Sequence, residues 1–267
     1  MKPYLPLLLA VLCLAVPSGV AEAREFTDSL GRHVALPDQV ERALPAGPPA
    51  EVALYTLAPQ KLLGWVKAIP ADGQAFLAAP YRDLPVVGRL TGHGAGIDAD
   101  KIKALKPDVI VDIGTLSPEY AKLADKIQSE TGIPYIVLDG GLDHTAGMYR
   151  LLGEATGDAQ PATELGAASR KILDRAKANP SLAEIIRADA ANGMYLPVAD
   201  ADKAPSGPWN WLGDPPGVNR LIGLEWLAAR AHPGATDIDL AADTRDFYRL
   251  FYHIDLTNQQ LRQLLPN

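Results

Sequence analysis

The chain has little cysteine, few aromatic residues and no excess of positive charge. Its single cysteine, Cys13, excludes an intrachain disulfide framework and a metal site built from several thiolates. Lys and Arg number 25 against 32 Asp and Glu, and this acidic balance argues against sequence-independent binding of nucleic acid. Hydrophobic residues still make up 48% of the 267 residues, so the chain has enough apolar material to bury a core and is not expected to be disordered.

Only the N-terminus carries a long apolar run. Leu5–Val16 follows Lys2, and the later Ala21-Glu22-Ala23 has the small-x-small form of a cleavage site. The run is shorter than the roughly 20 apolar residues that a membrane-spanning helix needs. Residues 1–23 are therefore predicted to be a signal peptide, and the remaining chain is expected to be exported and soluble.

The rest of the chain alternates between strand and helix patterns. Residues 24–37 are predicted to form a hairpin, with Gly31 in its turn. Strands are then predicted over 62–66, 84–87, 108–113, 134–138 and 194–198, and helices over 50–57, 98–105, 117–131, 143–156, 161–177, 219–231, 240–252 and 257–265. This succession predicts an α/β fold with a mainly parallel sheet in a Rossmann-like lobe over residues 24–142.

Two long segments then resemble a known family. GRLTGHGAGIDADKIKALKPDVIVDIG (Gly88–Gly114) and TGIPYIVLDGG (Thr131–Gly141) resemble the helical-backbone (class III) periplasmic substrate-binding proteins of ABC importers. The hairpin string DSLGRHVALP is similar to the mature N-terminus of the branch that serves ferric siderophores, haem and cobalamin-type chelates. The resemblance implies two Rossmann-like lobes joined by a long helix, a ligand held between them, and docking onto a membrane permease.

The C-terminal part both matches that family and departs from it. Pro215–Ala228 and Thr244–Leu261 are similar to strings in iron-complex binders. After the connecting helices, residues 143–178, the family has a full second lobe, but Ala178 to Asn192 is too short for one βαβ unit of roughly 30 residues. We therefore expect a reduced, mostly helical C-terminal lobe over residues 179–267. Either a minimal lid closes the cleft, or the two-lobed clamp has been lost.

Ligands of parallel α/β sheets bind beyond the carboxyl ends of the strands. This rule selects Arg89 after one strand, Gly114 and Thr115 after the next, and Asp139 after the third. The Arg89 guanidinium is a forked donor suited to a carboxylate or chelate oxygen. The alternative for Arg89 is an ordinary ion pair at the surface.

Three further ligand contacts are predicted in the C-terminal part. Trp209 and Trp211 flank Asn210 in a proline-bounded loop that could present aromatic faces to a planar chelate. Arg220, near a helix start, could donate to the same ligand. The alternatives are packing of both tryptophans over the reduced lobe and a capping role at the helix start.

The sequence offers no motif for metal binding or catalysis. Its five histidines show no spacing that places two imidazoles on one metal, so a site would need a distant assembly such as His93 with Asp139 and His144. No Gly-x-Ser-x-Gly elbow is present either. We therefore expect neither an enzyme nor a resident cofactor or metal.

These observations predict a monomeric periplasmic binding protein that delivers an iron chelate to an ABC permease at the inner membrane. No nucleic-acid partner is expected. Two alternatives of other classes stay open: a protein-interaction or accessory module built on the shortened fold, and a small exported enzyme.

Overall fold

A computed structural model describes residues 23–91, 98–191, 194, 196, 198, 201–231 and 238–266. The predicted signal peptide, apart from Ala23, lies outside the described residues, as do Cys13, His93 and the glycine-rich run at 92–96. Among the helices of the described ranges, none is long and apolar enough to cross a membrane.

The predicted hairpin is confirmed. Strand β1 (Ala23–Thr27) pairs antiparallel with β2 (His33–Pro37). The Asp28 carboxylate accepts the backbone N–H groups of Leu30 and Arg32, and Gly31 adopts a φ of 76° that favours glycine. Phe26 is buried on the inner face, so the hairpin is attached to the core through alternate residues.

A parallel sheet forms the centre of the molecule. Its strands, β3 (Ala43–Pro45), β4 (Val109–Gly114) and β5 (Tyr135–Asp139), lie in the order β3-β4-β5. Every residue of β4 is buried, as expected for a parallel strand that is covered on both faces. The α/β prediction is confirmed.

The strands predicted at 62–66 and 84–87 are wrong. These segments make single parallel bridges, Ala43 to Leu62 and Trp65 to Val86. Pro85 has no N–H to continue a ladder, and a Cβ at Gly64 would lie 2.3 Å from the Pro85 carbonyl oxygen. The backbones approach closely at this point but do not form a regular strand pair.

Helices cover the sheet and build the C-terminal part of the chain. They are α1 (Pro48–Leu57), α2 (Ala71–Gln74), α3 (Ala99–Leu105), α4 (Pro118–Thr131), α5 (Thr145–Thr156), α6 (Ala159–Lys177), α7 (Pro180–Ala191), α8 (Asn219–Ala231), α9 (Leu240–Phe251) and α10 (Asn258–Leu264). Caps define the ends of two of these helices: Asp98 accepts from Lys101 N, Ser117 accepts from Tyr120 N, and Gly132 ends α4 with a φ of 73°.

Two features around α7 differ from the prediction. Helix α7 fills the stretch between Ala178 and Asn192 for which no element was predicted. The strand predicted over 194–198 is not found at its described residues 194, 196 and 198. Met194 has a φ of 70°, in the left-handed region, which a strand does not accommodate.

The two faces of the sheet have separate hydrophobic clusters. The smaller cluster joins Leu44, Ile110 and Val137 of the strands to Ile102 of α3 and Ala124 of α4. The larger cluster runs from Phe26 in the hairpin to Leu264 in α10 and includes residues of α1, α5, α6, α8 and α9. The C-terminal helices therefore pack onto the same core as the sheet.

Candidate functional site

A cavity of about 550 Å³ lies at the carboxyl end of β4, and we call it the β4 chamber. The starts of α1 and α4, the segment at 66–67 and the loop at 214–216 surround it. Its polar side chains are Lys67, Arg89, Thr91, Asp112, Thr115, Ser117, Tyr120 and Asp214. A volume of roughly 300 to 1,000 Å³ is usual for a small-molecule site.

Asp112 is a buried carboxylate of β4 in the wall of this chamber. The Tyr135 hydroxyl donates to its Oδ2 at 2.7 Å, and Thr91 Oγ1 lies 3.5 Å from its Oδ1. Burial raises the pKa of Asp112 to about 6, although the hydrogen bond from Tyr135 opposes the rise. The carboxyl is therefore largely ionised at neutral pH, and burying its charge lowers the free energy of unfolding.

Tyr120 brings a hydroxyl donor beside Asp112. Burial, with the charge of Asp112 adding to it, raises the pKa of Tyr120 to about 12, so the phenol keeps its proton. A Cβ at Gly114 would lie 2.8 Å from the Tyr120 hydroxyl. Glycine at the end of β4 thus makes room for this side chain.

Arg89 and Lys67 are the cations of the chamber. Arg89 Nε donates to the Thr91 carbonyl oxygen at 3.0 Å, which fixes the direction of its side chain. Both cations act electrostatically on Glu51, a buried residue of α1. Burial raises the pKa of Glu51 to about 7, while the Val66 N–H and the charges of Lys67 and Arg89 oppose the rise.

Gly114 and Thr115 line the chamber at the end of β4, as the strand-end rule predicts. Arg89 lines it too, although the segment before it is not a regular strand. Asp139, at the end of β5, lies outside the chamber. The Asp139 carboxylate lies 2.6 Å from His144 Nδ1 and accepts the Gly141 N–H, beside a space of only about 20 Å³.

Arg220, predicted to contact a ligand, closes the end of β5 and is bound by groups of the protein itself. Its side chain is 3% exposed, forms a buried ion pair with Asp189 of α7, and donates to the carbonyl oxygens of Gly140 at 2.8 Å and Met194 at 3.0 Å. Asp189 also accepts the Leu142 N–H at 2.8 Å. Arg220 therefore ties α8 to α7 and to the sheet edge.

Trp211 is also placed away from the β4 chamber, because it is a core residue. It is fully buried, and its Nε1 donates to the Tyr248 hydroxyl at 3.2 Å. Trp209 is 4% exposed and packs edge-on against Tyr55 and Tyr252. The packing alternative describes both tryptophans better than a pair of exposed aromatic faces.

Trp209 nevertheless lines a second cavity of about 630 Å³, which we call the Trp209 chamber. Its apolar lining includes Ile69, Leu196, Pro208 and Leu212. Lys67, Asp214 and Pro215 line both this cavity and the β4 chamber, so the two chambers adjoin.

Several residues that line the β4 chamber were not predicted from the sequence. The sequence did contain an indication of Asp112, because it is the one charged residue inside the otherwise apolar run of β4. No sequence pattern indicated that Tyr120, Lys67 or Asp214 belongs to the site. For the distant metal site, His93 lies outside the described residues; within the described part of the chain, no group of three or more His, Cys, Asp or Glu side chains could hold a metal ion.

The fold is similar to that of solved solute-binding proteins. An ABC transporter solute-binding protein from Sulfurospirillum deleyianum is 19% identical with a TM-score of 0.74, over 91% of this chain and 99% of that chain. A periplasmic solute-binding protein from Veillonella parvula is 18% identical with a TM-score of 0.69, over 91% and 97%. The molybdate periplasmic binding protein MolA of Haemophilus influenzae is 16% identical with a TM-score of 0.57, over 88% and 99%.

No protein-family model and no curated protein sequence matches the chain. At these identities, the structural likeness shows that the chain has the α/β fold of the periplasmic binding proteins.

Proposed function

We propose that the protein is the periplasmic solute-binding component of an ABC importer and carries an iron chelate in the β4 chamber to a membrane permease. The observation that supports this most is a cavity of about 550 Å³ at the strand end where the fold places ligands, with Arg89 in its wall. The similar solved structures are named as solute-binding proteins.

The chemistry of the chamber suits a ligand rich in acceptor oxygens. Arg89 and Lys67 supply charged donors, and Thr115, Ser117 and Tyr120 supply hydroxyls. Because donor groups outnumber the carboxylates in the lining, a ligand of carboxylate, hydroxamate or catecholate oxygens gains several hydrogen bonds at once. We propose that binding involves no bond chemistry, with modest movement about the connecting helices α5 and α6.

The first test is a fluorescence titration. Tryptophan emission is followed while haem, a ferric siderophore, ferric citrate, cobalamin or molybdate is added, and a saturable quench is expected with at least one of the iron chelates. Arg89→Ala should weaken that binding about tenfold, because a charged hydrogen bond of about 1.5 kcal/mol is lost. The melting temperature should change little.

The control variant is Arg150→Ala, an exposed arginine of α5 paired with Glu154, which should bind like the wild type. Equal affinity in Arg89→Ala and wild type would remove Arg89 from the site. Binding of cobalamin or molybdate alone would overturn the iron chelate as the ligand. No response to any probe of the panel would overturn the carrier proposal and favour the protein-interaction module.

A further inference from the structure

We propose that the β4 chamber and the Trp209 chamber form one two-part site for an amphiphilic chelate, with its oxygen-rich head in the first chamber and an apolar arm in the second. This inference rests on the proposed function and narrows its ligand class. The ligand has an aliphatic or aromatic arm that is joined to an acidic head.

The two chambers meet at Lys67 and at the Asp214–Pro215 segment, which line both. One cation and one anion therefore stand at the junction. Lys67 is exposed and carries a flexible stem, so its ammonium can reach an acidic group on either side of the junction. A ligand that occupies both chambers would pass directly beside this charge.

The Trp209 chamber has fewer polar side chains in its lining than the β4 chamber, and the Asn210 amide in its loop is already hydrogen-bonded. Asn210 Nδ2 donates to the Ala201 carbonyl oxygen at 2.9 Å, and its Oδ1 accepts the Leu212 N–H at 2.7 Å. Backbone bridges from Asn210 to Ser206 and to Asp214 hold the loop in place. The apolar lining comes from the edges of Ile69, Leu212 and Trp209 and from the more exposed Pro70, while Lys67, Ser206 and Asp214 supply polar groups.

The volumes of the two adjoining chambers favour a ligand larger than a compact oxyanion. The β4 chamber, at about 550 Å³, lies within the roughly 300 to 1,000 Å³ that small-molecule sites span. A four-oxygen anion fills a small part of that space and none of the adjoining 630 Å³. A head that fills the first chamber and an arm that removes apolar surface from water in the second would use both.

Dansylglycine tests this arrangement, because it joins a carboxylate to an apolar fluorescent ring. It is expected to bind with enhanced dansyl emission and with energy transfer from tryptophan, since Trp209 lines the chamber proposed for the ring. Dansylamide, which lacks the carboxylate, should bind at least tenfold more weakly. Ferric citrate and molybdate serve as probes that have a head but no arm.

Two variants, each of which places a phenylalanine ring in one chamber, test the two chambers separately. Thr115→Phe places a ring in the β4 chamber and Ser206→Phe places one in the Trp209 chamber, both from exposed positions that should not disturb folding. Each is expected to weaken dansylglycine binding at least tenfold. The control is Ser129→Phe on the exposed face of α4, outside both chambers, and it should bind like the wild type.

The outcomes distinguish this inference from the proposed function. If ferric citrate binds and dansylglycine does not, the carrier proposal stands and the two-part site is overturned. The same holds if Ser206→Phe leaves dansylglycine affinity unchanged. If dansylglycine binds, is sensitive to both fillings and no iron chelate of the panel binds, the two-part site stands and the iron-chelate proposal falls. If no probe binds, both are overturned.

Discussion

The carboxyl ends of β4 and β5 lie side by side in one parallel sheet, yet one opens into a cavity and the other is closed. Beyond β4, the β4 chamber lies between Asp112 and the loop at 214–216. Beyond β5, the Arg220 guanidinium binds the Gly140 carbonyl and pairs with Asp189. The strand-end rule therefore locates two possible sites, and the side chains packed above each strand decide which one stays open to a ligand.

The largest expected effect on stability comes from removing the Arg220 side chain, which closes the end of β5. Arg220→Met should lower the free energy of unfolding by about 3 to 5 kcal/mol, because it leaves the Asp189 carboxylate buried without its partner. Arg89→Met at the open end should cost far less, since Arg89 is only partly buried. Urea unfolding monitored by circular dichroism measures both variants.

The double variant Arg220→Met/Asp189→Asn serves as the control for the closed end. It removes both charges while the Asn oxygen still accepts the Leu142 N–H, so part of the lost stability should return. If Arg220→Met were no more destabilising than Arg89→Met, the buried pair would not be what closes the end of β5.

A second prediction concerns the buried carboxylate of the open end. Burial raises the pKa of Asp112 from 3.8 to about 6, so between these values the folded state holds more protons than the unfolded state. Stability contributed by this group therefore falls as pH rises through that window, by about 3 kcal/mol at about 1.4 kcal/mol per pKa unit. Above this pH window, the wild type is destabilised by the full cost of burying the ionised Asp112 carboxylate.

Asp112→Asn removes this titration. Relative to the wild type, the variant should gain about 3 kcal/mol in unfolding free energy between pH 3.5 and pH 8, as judged from urea titrations at each pH. Glu51 titrates in an overlapping range in both proteins, so the difference between them isolates Asp112. A constant offset across the pH range would show that the Asp112 pKa is not raised.

Much of the fold was predictable because local signals determine it. Ser117 and Pro118 mark the start of α4 and Gly132 marks its end, and the β-branched run at 108–113 is typical of a buried strand. Gly114 and Thr115 were predicted at the cavity because they follow a parallel strand, a rule that needs no knowledge of packing. Arg89 was selected through a strand at 84–87 that does not form.

The remaining features depend on contacts between distant residues. Arg220 and Asp189 are 31 positions apart and lie on different helices, so no sequence pattern shows that the guanidinium is used internally. Trp211 is buried and donates to the Tyr248 hydroxyl of α9, 37 residues further on, which no local sequence pattern shows. The segments at 62–66 and 84–87 have strand composition, but Gly64 and Pro85 limit them to single bridges.

The smallest predicted effect compares one polar side chain from each strand end. Tyr120→Phe removes a hydroxyl donor from the β4 chamber and should weaken binding of the best iron chelate about fivefold, the value of a hydrogen bond of about 1 kcal/mol. Asp139→Asn at the closed end should leave that affinity unchanged, because Asp139 faces His144 and lies outside the chamber. Calorimetric titration of both variants with the same chelate measures the difference. A loss in Asp139→Asn equal to that in Tyr120→Phe would mean that the ligand extends over β5, and the distinction between an open and a closed strand end would fail.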